Sequence, residues 1–524
     1  MWLFLEQTRR RESTFVHLPP FKPVLMPDAV FALLQRSNGV TSAASLQPYE
    51  PSAAKPWDAQ RVAHLYRRLG FGASYEDIQQ GLTMHPAALV DHLLDQAAAL
   101  PPPAPPQPED WSNWTTDDYA GSFTKVEEHR RYLRHRWLSE MLDEGVRAKM
   151  AHFWLNHFVT KIYIVGCNAY TWKYYELLNR FALGNFRDFA VEMGKNPAML
   201  VFLNGNVNEA GNPNENYARE LMELFTLGEG KGYTQMDVVE MSRAMTGWRA
   251  SFNDCTPHYF DPSKHDNGVK TILGATGPFD FDEAHLLIFQ QRPHQVAEFI
   301  AGKLYRHLVA HTPDPAIVAE MAETFRGSNW ELLPMLKQLL KSEHFFEERF
   351  FHVQIKSPLD LLIGVLKMCG VRASEHVEPA WWDDVAFWLD KLGQTMFDPP
   401  NVAGWPGHRA WINESTLANR WKFTALLTML ISKNEQVRQT LRTTAKGLTN
   451  NSKDPQTITA ALISFFCGIP LDAIHLSAAV DSFKSGIPEG YFDNGSWNLD
   501  WDEAPYQVLQ LLQYLARQPE FQLM

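Results

Sequence analysis

The stretch NPNENYARELMELFTLG, residues 212–228, crowds amide, carboxylate and guanidinium side chains ahead of an apolar run. At about 100° per residue, Tyr217, Leu221, Leu224 and Phe225 fall on one helical face. Glu215, Asn216, Arg219, Glu220 and Glu223 form the opposite arc. One reading is a solvated face, with Glu215–Arg219 and Arg219–Glu223 as i,i+4 pairs worth about 0.2–0.5 kcal/mol each. The other is a site in which Asn216, Arg219 and Glu220 face inward and hold a ligand or metal. There the neighbouring carboxylates Glu220 and Glu223 act as acid and base, or as oxygen ligands.

Three further segments carry reactive groups. In HFWLNHF (152–158), His152 and Asn156 share a face, whereas His157 lies about 140° from His152. The two histidines therefore do not chelate one ion from a regular helix, and His157 needs an outside partner such as Glu220. In KHDNGVKT (264–271), Lys264, His265, Asp266 and Lys270 surround a DNG turn signal; a His265–Asp266 pair at the mouth of a site is the functional reading. GHRAWIN (407–413) adds His408, Arg409 and Trp411, with Trp405 before it and Arg420 after it. Trp405 and Trp411 are candidates for stacking on a flat or sugar-like ligand, and His408 and Arg420 for polar contacts with it.

These residues must be positioned by helices. Periodicity starts at Asp58, where DAQRVAHLYRRLGFG puts Val62, Leu65 and Leu69 on one stripe and Gly70 ends it. Ser74 and Thr234 read as caps, Asn212 or Asn214 as the cap of 212–228, Pro213 as its first residue and Gly228 as its stop. Helical patterns follow at 124–144, 145–160, 169–183, 185–195, 283–311, 315–325, 330–348, 357–369, 380–393, 414–431, 434–445, 455–467 and 502–517. Residues 250–282 are a Gly-, Asp-, Pro- and aromatic-rich excursion in which KTILG forms a short strand. The chain divides into an extension (1–57, with 27–37 helical), a core (58–430, with a polyproline-like spacer at 101–110) and a C-terminal helical segment (431–524). The fold class is all-α, a large multi-helix array with a small irregular or β excursion near 250–282.

With 45% hydrophobic and 21% charged residues, the chain has the profile of a soluble globular protein. Seventeen Trp and 32 Phe predict an interior of large rings, or a surface that meets sugars, lipids or a partner. A net charge of −12 argues against nucleic acid, and no apolar run is long enough to span a membrane. The start, MWLFLEQTRRRES, puts charge after the apolar run, the reverse of a signal peptide, so no export signal is readable. Cys167, Cys255, Cys369 and Cys467 are scattered without a CxxC, which excludes a structural zinc site of usual spacing and fits a reducing compartment. GxSxG, HExxH, Walker and Rossmann motifs are missing, so catalysis, if present, draws on distant segments.

In order along the chain stand AHLYRRLGFG (63–72), FWLNHF (153–158), ALGNFRDF (182–189), NENYARELMELFTLG (214–228), RAMTGW (243–248), HDNGVKTILG (265–274), FIAGKLYRHLV (299–309) and PPNVAGWPGHRAWIN (399–413). This set resembles the bacterial family catalogued as domain of unknown function eighteen hundred, over roughly residues 58–430. The resemblance implies signature positions at Asn214, Glu215, Asn216, Arg219, Glu220, His265, Asp266, Asn401, Gly404, Trp405 and Trp411. It assigns no activity and no cofactor, and a divalent metal is compatible with it. It implies frequent export and a sulfatase- or phosphatase-like neighbour as candidate partner. A fixed polar string fits buried polar contacts, catalytic or architectural, better than a solvated face.

Overall fold

The computed structural model describes residues 45–524. The expected helix at 27–37 lies outside them. Among the described residues, helices carry the architecture and two two-stranded sheets are the β content. The all-α class with a small β excursion holds.

Local signals set the helix ends. Asp58 accepts from the Arg61 amide and caps Ala59–Leu69, and Gly70 closes that helix. Ser74 and Thr234 each form a capping box, with Asp77 and Asp237 returning the bond. The pattern at 283–311 is two helices, Phe281–Gln291 and Pro293–Leu308, because Pro293 cannot continue the first ladder. A helix at Ala473–Lys484 has no counterpart in the sequence reading.

The aromatic residues are largely interior. Trp154, fully buried, packs its ring against Phe158, Phe186 and Phe189, and its Nε1–H donates to the Ala182 carbonyl. The proline-rich run is not a free spacer. Pro103 and Pro106 are buried, three residues apart as the turn of a polyproline helix requires, and Trp111 stacks on His129 at 4.8 Å. Arg136 and Arg147 donate to the exposed carbonyls of Ala104 and Pro101, which prolines leave without ladder partners.

Residues 46–57 also belong to the packed body. Tyr49 is buried against Phe346 (4.8 Å), and Pro48 bridges Ser342. At the other end the chain returns to the core, where Ile355 bridges Leu523 and the Met524 amide donates to the Gln354 carbonyl.

The 250–282 excursion is ordered from two sides. Lys270–Ile272 pairs antiparallel with Ala275–Gly277, across a two-residue turn at Leu273 and Gly274, both at positive φ. Cys167 and Cys255 form a disulfide, which corrects the expectation of four separate thiols. Eighty-eight residues separate them, so spacing alone could not reveal the pair. Tyr170 Oη reinforces the clip by donating to the Ser251 and Thr256 carbonyls.

Candidate functional site

The signature segment departs from a regular helix at both ends. Asn214 accepts from the Asn216 amide, and its own amide donates to Asn208 Oδ1. This Asx-type turn holds 212–215 outside the helix, which begins at Asn216 instead of Pro213. One turn later, Leu221–Thr226 switches to π geometry. Its widened turn leaves carbonyls to be met from elsewhere. Lys303 Nζ donates to the Leu224 carbonyl (3.1 Å), and His157 Nε2–H donates to that of Phe225 (3.0 Å).

That contact fixes the state of His157. With Nε2 donating, Nδ1 accepts from Lys303 Nζ at 3.0 Å. Burial and the adjacent Lys303 hold the imidazole well below its ordinary value, so it is neutral with both nitrogens engaged. The proposed metal ligation by His157 with Glu220 is therefore corrected: His157 is a helix-end partner. Burial pushes Lys303 down to about 8.

Arg219 pairs with Glu215 at 2.8 Å, as the spacing predicts, and with Gln235 Oε1 at 2.9 Å; Gln235 Nε2 closes the triangle onto Glu215 (2.8 Å). The expected Arg219–Glu223 pair does not form. The π turn changes the angular relation between them, and burial, with a smaller contribution from the Glu223 carboxylate, raises the pKa of Tyr233. Glu220 is half-buried and its carboxylate has neither hydrogen bond nor ion pair among the described residues. Burial, then Glu223, raises its pKa against the pull of Arg219.

His265 and Asp266 do not pair with one another. His265 Nδ1 bonds the Thr246 carbonyl at 3.0 Å. Asp266 takes Arg243 Nε and Nη2 (2.8 and 3.3 Å) and the Gly268 amide, and the Arg243 bonds hold its pKa low. The DNG turn is thus tied to the helix Gln235–Ala244.

The 397–413 loop docks on the end of the Val146–Leu155 helix. Asn156 Oδ1 accepts from the Trp405 amide (2.6 Å) and its Nδ2 donates to the Trp405 carbonyl (3.2 Å). Gly404 makes this approach possible: its φ is +83°, and a Cβ there would lie 2.2 Å from Asn156 Oδ1. Asn401 holds the turn by accepting from the Ala403 amide. Trp405 and Trp411 are 6% and 9% exposed, within the core, and this overturns their assignment as ligand-stacking surfaces. Arg420 is fully buried, with Nη1 on Gln522 and Nη2 on the Lys356 carbonyl, so it too is a packing residue. His408 stacks on His311 at 4.2 Å, and burial pushes it down to about 4.

The candidate residues thus sit in three adjoining knots: 212–228 with His157, Gln235 and Lys303; 265–266 with 243–246, on the helix that also carries Gln235; and 401–411 with 152–156, next in the chain to His157. A fourth polar group went unrecognised in the sequence. Lys149 Nζ meets Asp360 Oδ1 at 3.0 Å and the Arg67 carbonyl at 2.8 Å, fully enclosed. Arg67, Arg68, Lys356 and Arg420 are buried too, each with a backbone carbonyl as partner. The only available hint was the Arg67–Arg68 pair on a short helix, where one stripe must pack.

Burial, then Arg67, pushes Lys356 down to about 7 from the ordinary 10.5. Between those values the unfolded chain holds this proton more tightly than the folded one, so stability rises with pH there. The urea midpoint is expected to be higher at pH 9 than at pH 7, with a flatter slope for Lys356→Met. An unchanged slope would refute the assignment.

An all-α array with polar residues tying its elements together is the class that this geometry defines. The family model described as "Protein of unknown function (DUF1800)" matches residues 64–523, and the chain belongs to that family. The match extends past residue 430 and takes in the C-terminal helices. No curated protein and no solved structure matches.

Proposed function

We propose that this protein is a non-catalytic helical scaffold, an accessory partner of a sulfatase- or phosphatase-like protein. The carrying observation is the closed Arg219–Glu215–Gln235 triangle, in which the most distinctive signature cation is satisfied by its own fold. Asp266–Arg243 and Asn156–Trp405 support the same reading, since each joins two segments. The Cys167–Cys255 disulfide supports an oxidising working compartment. No described helix is long and apolar enough to cross a membrane.

Asp266→Ala is the test. It removes one of the two carboxylates on Arg243, leaving Glu240, and frees the Gly268 amide, so about 1 kcal/mol of stability should be lost in thermal unfolding. In parallel, the purified chain should form a complex with such a hydrolase in size-exclusion chromatography. An unchanged melting temperature, with no complex, would count against the scaffold.

One observation favours a second reading, an enzyme or metal-dependent catalyst. Glu220, half-buried and unpaired among the described residues, lies beside Glu223 with its pKa raised by burial. A carboxylate so placed suits acid–base work or ligation of a divalent cation. Titration with Mn²⁺ or Ca²⁺ decides: saturable binding that Glu220→Gln abolishes without lowering the melting temperature establishes this reading over the first.

A further inference from the structure

The core encloses five neighbouring cations, Arg67, Arg68, Lys149, Lys356 and Arg420, whereas Asp360 is the one buried carboxylate among the described residues. Its oxygens are taken by Lys149 and Ser357. Arg67, Arg68, Lys356 and Arg420 each bond a neutral carbonyl, and among the described residues none has a carboxylate within ion-pair distance. Asp360 acts on Arg68, Lys356 and Arg420 only from further away. A carbonyl satisfies an N–H but leaves the charge uncompensated, which is costly away from water.

The cluster also has donors to spare. Arg68 is fully buried and gives Nη2 to the Phe350 carbonyl, while its Nε and Nη1 are sealed without a partner. His352, buried beside it, has Nδ1 in the same condition. Burial, then Arg67, Lys356 and Arg68, hold the His352 imidazole well below its ordinary value, so three cations act on one neutral ring. Gly468, at φ +72°, brings Arg67 and His352 side by side: a Cβ on it would lie 2.5 Å from His352 Cε1 and 2.9 Å from Arg67 Nη1. Water can occupy spare donors, but it brings no negative charge.

We propose that the fold encloses a halide ion, chloride, among Arg67, Arg68, His352 and Lys356. Arg68 donates through Nε and Nη1 and His352 through Nδ1–H, while Arg67 and Lys356 supply further charge. The cost of burying an ion climbs steeply with its charge, which favours a small monovalent ion over sulfate or phosphate. The ion needs no open cleft. It is taken up as the helices close and exchanges when the fold opens, so its affinity is read from stability. Bound chloride also draws Lys356 back toward its ordinary value. The rise in stability between pH 7 and pH 9 therefore belongs to chloride-free buffer and flattens in chloride.

The test is urea unfolding of the full chain at pH 7 while potassium chloride replaces potassium gluconate at constant ionic strength. Above the dissociation constant, each tenfold rise in chloride should improve the wild-type folding equilibrium about tenfold. Arg68→Met should lose this response, and Lys356→Met should need about tenfold more chloride to show it. Lys231→Met, exposed on the 228–232 loop outside the cluster, should follow the wild type. Lys356→Met decides alone if Arg68→Met does not fold. A wild-type midpoint indifferent to chloride overturns the site, and so does an equal response in wild type and both core variants. A response to sulfate that exceeds that to chloride, and is lost in those variants, overturns the ligand class.

Discussion

Asp360→Asn should lower the stability of this protein by about 3–5 kcal/mol, the largest effect expected of any single polar substitution in it. Among the described residues, Asp360 is the one carboxylate within bonding distance of the enclosed Lys149, and it also accepts from the amide and hydroxyl of Ser357 to cap the Pro358–Met368 helix. Burial pushes its pKa up, but Lys149, Ser357 and His307 outweigh that and hold it ionised. Asparagine keeps much of the cap and removes the charge. Lys149 is then a buried ammonium without its carboxylate, with the Arg68 guanidinium close enough to act on it. The double variant Lys149→Met/Asp360→Asn should recover a large part of the loss, since no uncompensated charge remains. Urea denaturation of the singles and the double completes the cycle. A loss below about 1 kcal/mol in Asp360→Asn would show that water reaches the pair.

Removing the disulfide is the second large effect. Joining residues 88 apart restricts the unfolded chain, and the loop-entropy argument assigns about 4–5 kcal/mol to that restriction. Cys167→Ala/Cys255→Ser should therefore melt well below wild type. Dithiothreitol should bring the wild type down to the same temperature and leave the variant unmoved. The other two thiols do not confuse the result. Cys369 and Cys467 are buried, and burial pushes each up to about 12, which makes them poor nucleophiles. The 250–258 loop keeps its bonds from Tyr170 and Thr116, so the loss should be global and not a local opening. If reductant leaves the wild-type melting curve in place, the bridge contributes nothing to the fold.

Much of the architecture was legible because its causes are local. Asp58, Ser74 and Thr234 cap because a short polar side chain before an apolar stripe has one good use. The strand at Lys270–Ile272 and its tight turn follow from a β-rich run meeting Leu-Gly. The site was less legible. A helical wheel assumes a constant turn, and the π segment at Leu221–Thr226 breaks that assumption in the middle of the signature string. It misplaced Glu223, which forms no ion pair with Arg219 among the described residues.

Residue type by itself fixed which groups could do chemistry here, where the helices capped by Asp58, Ser74 and Thr234 begin and that helices form the body. Tertiary structure decided what those groups touch. Trp405 and Arg420 became interior packing, Arg219 closed a triangle with a residue on the next helix, and Cys167 found Cys255. The physical reason is range: capping and periodicity act within one turn of chain, whereas burial, pairing of charges and disulfide closure depend on which distant segments fold against each other.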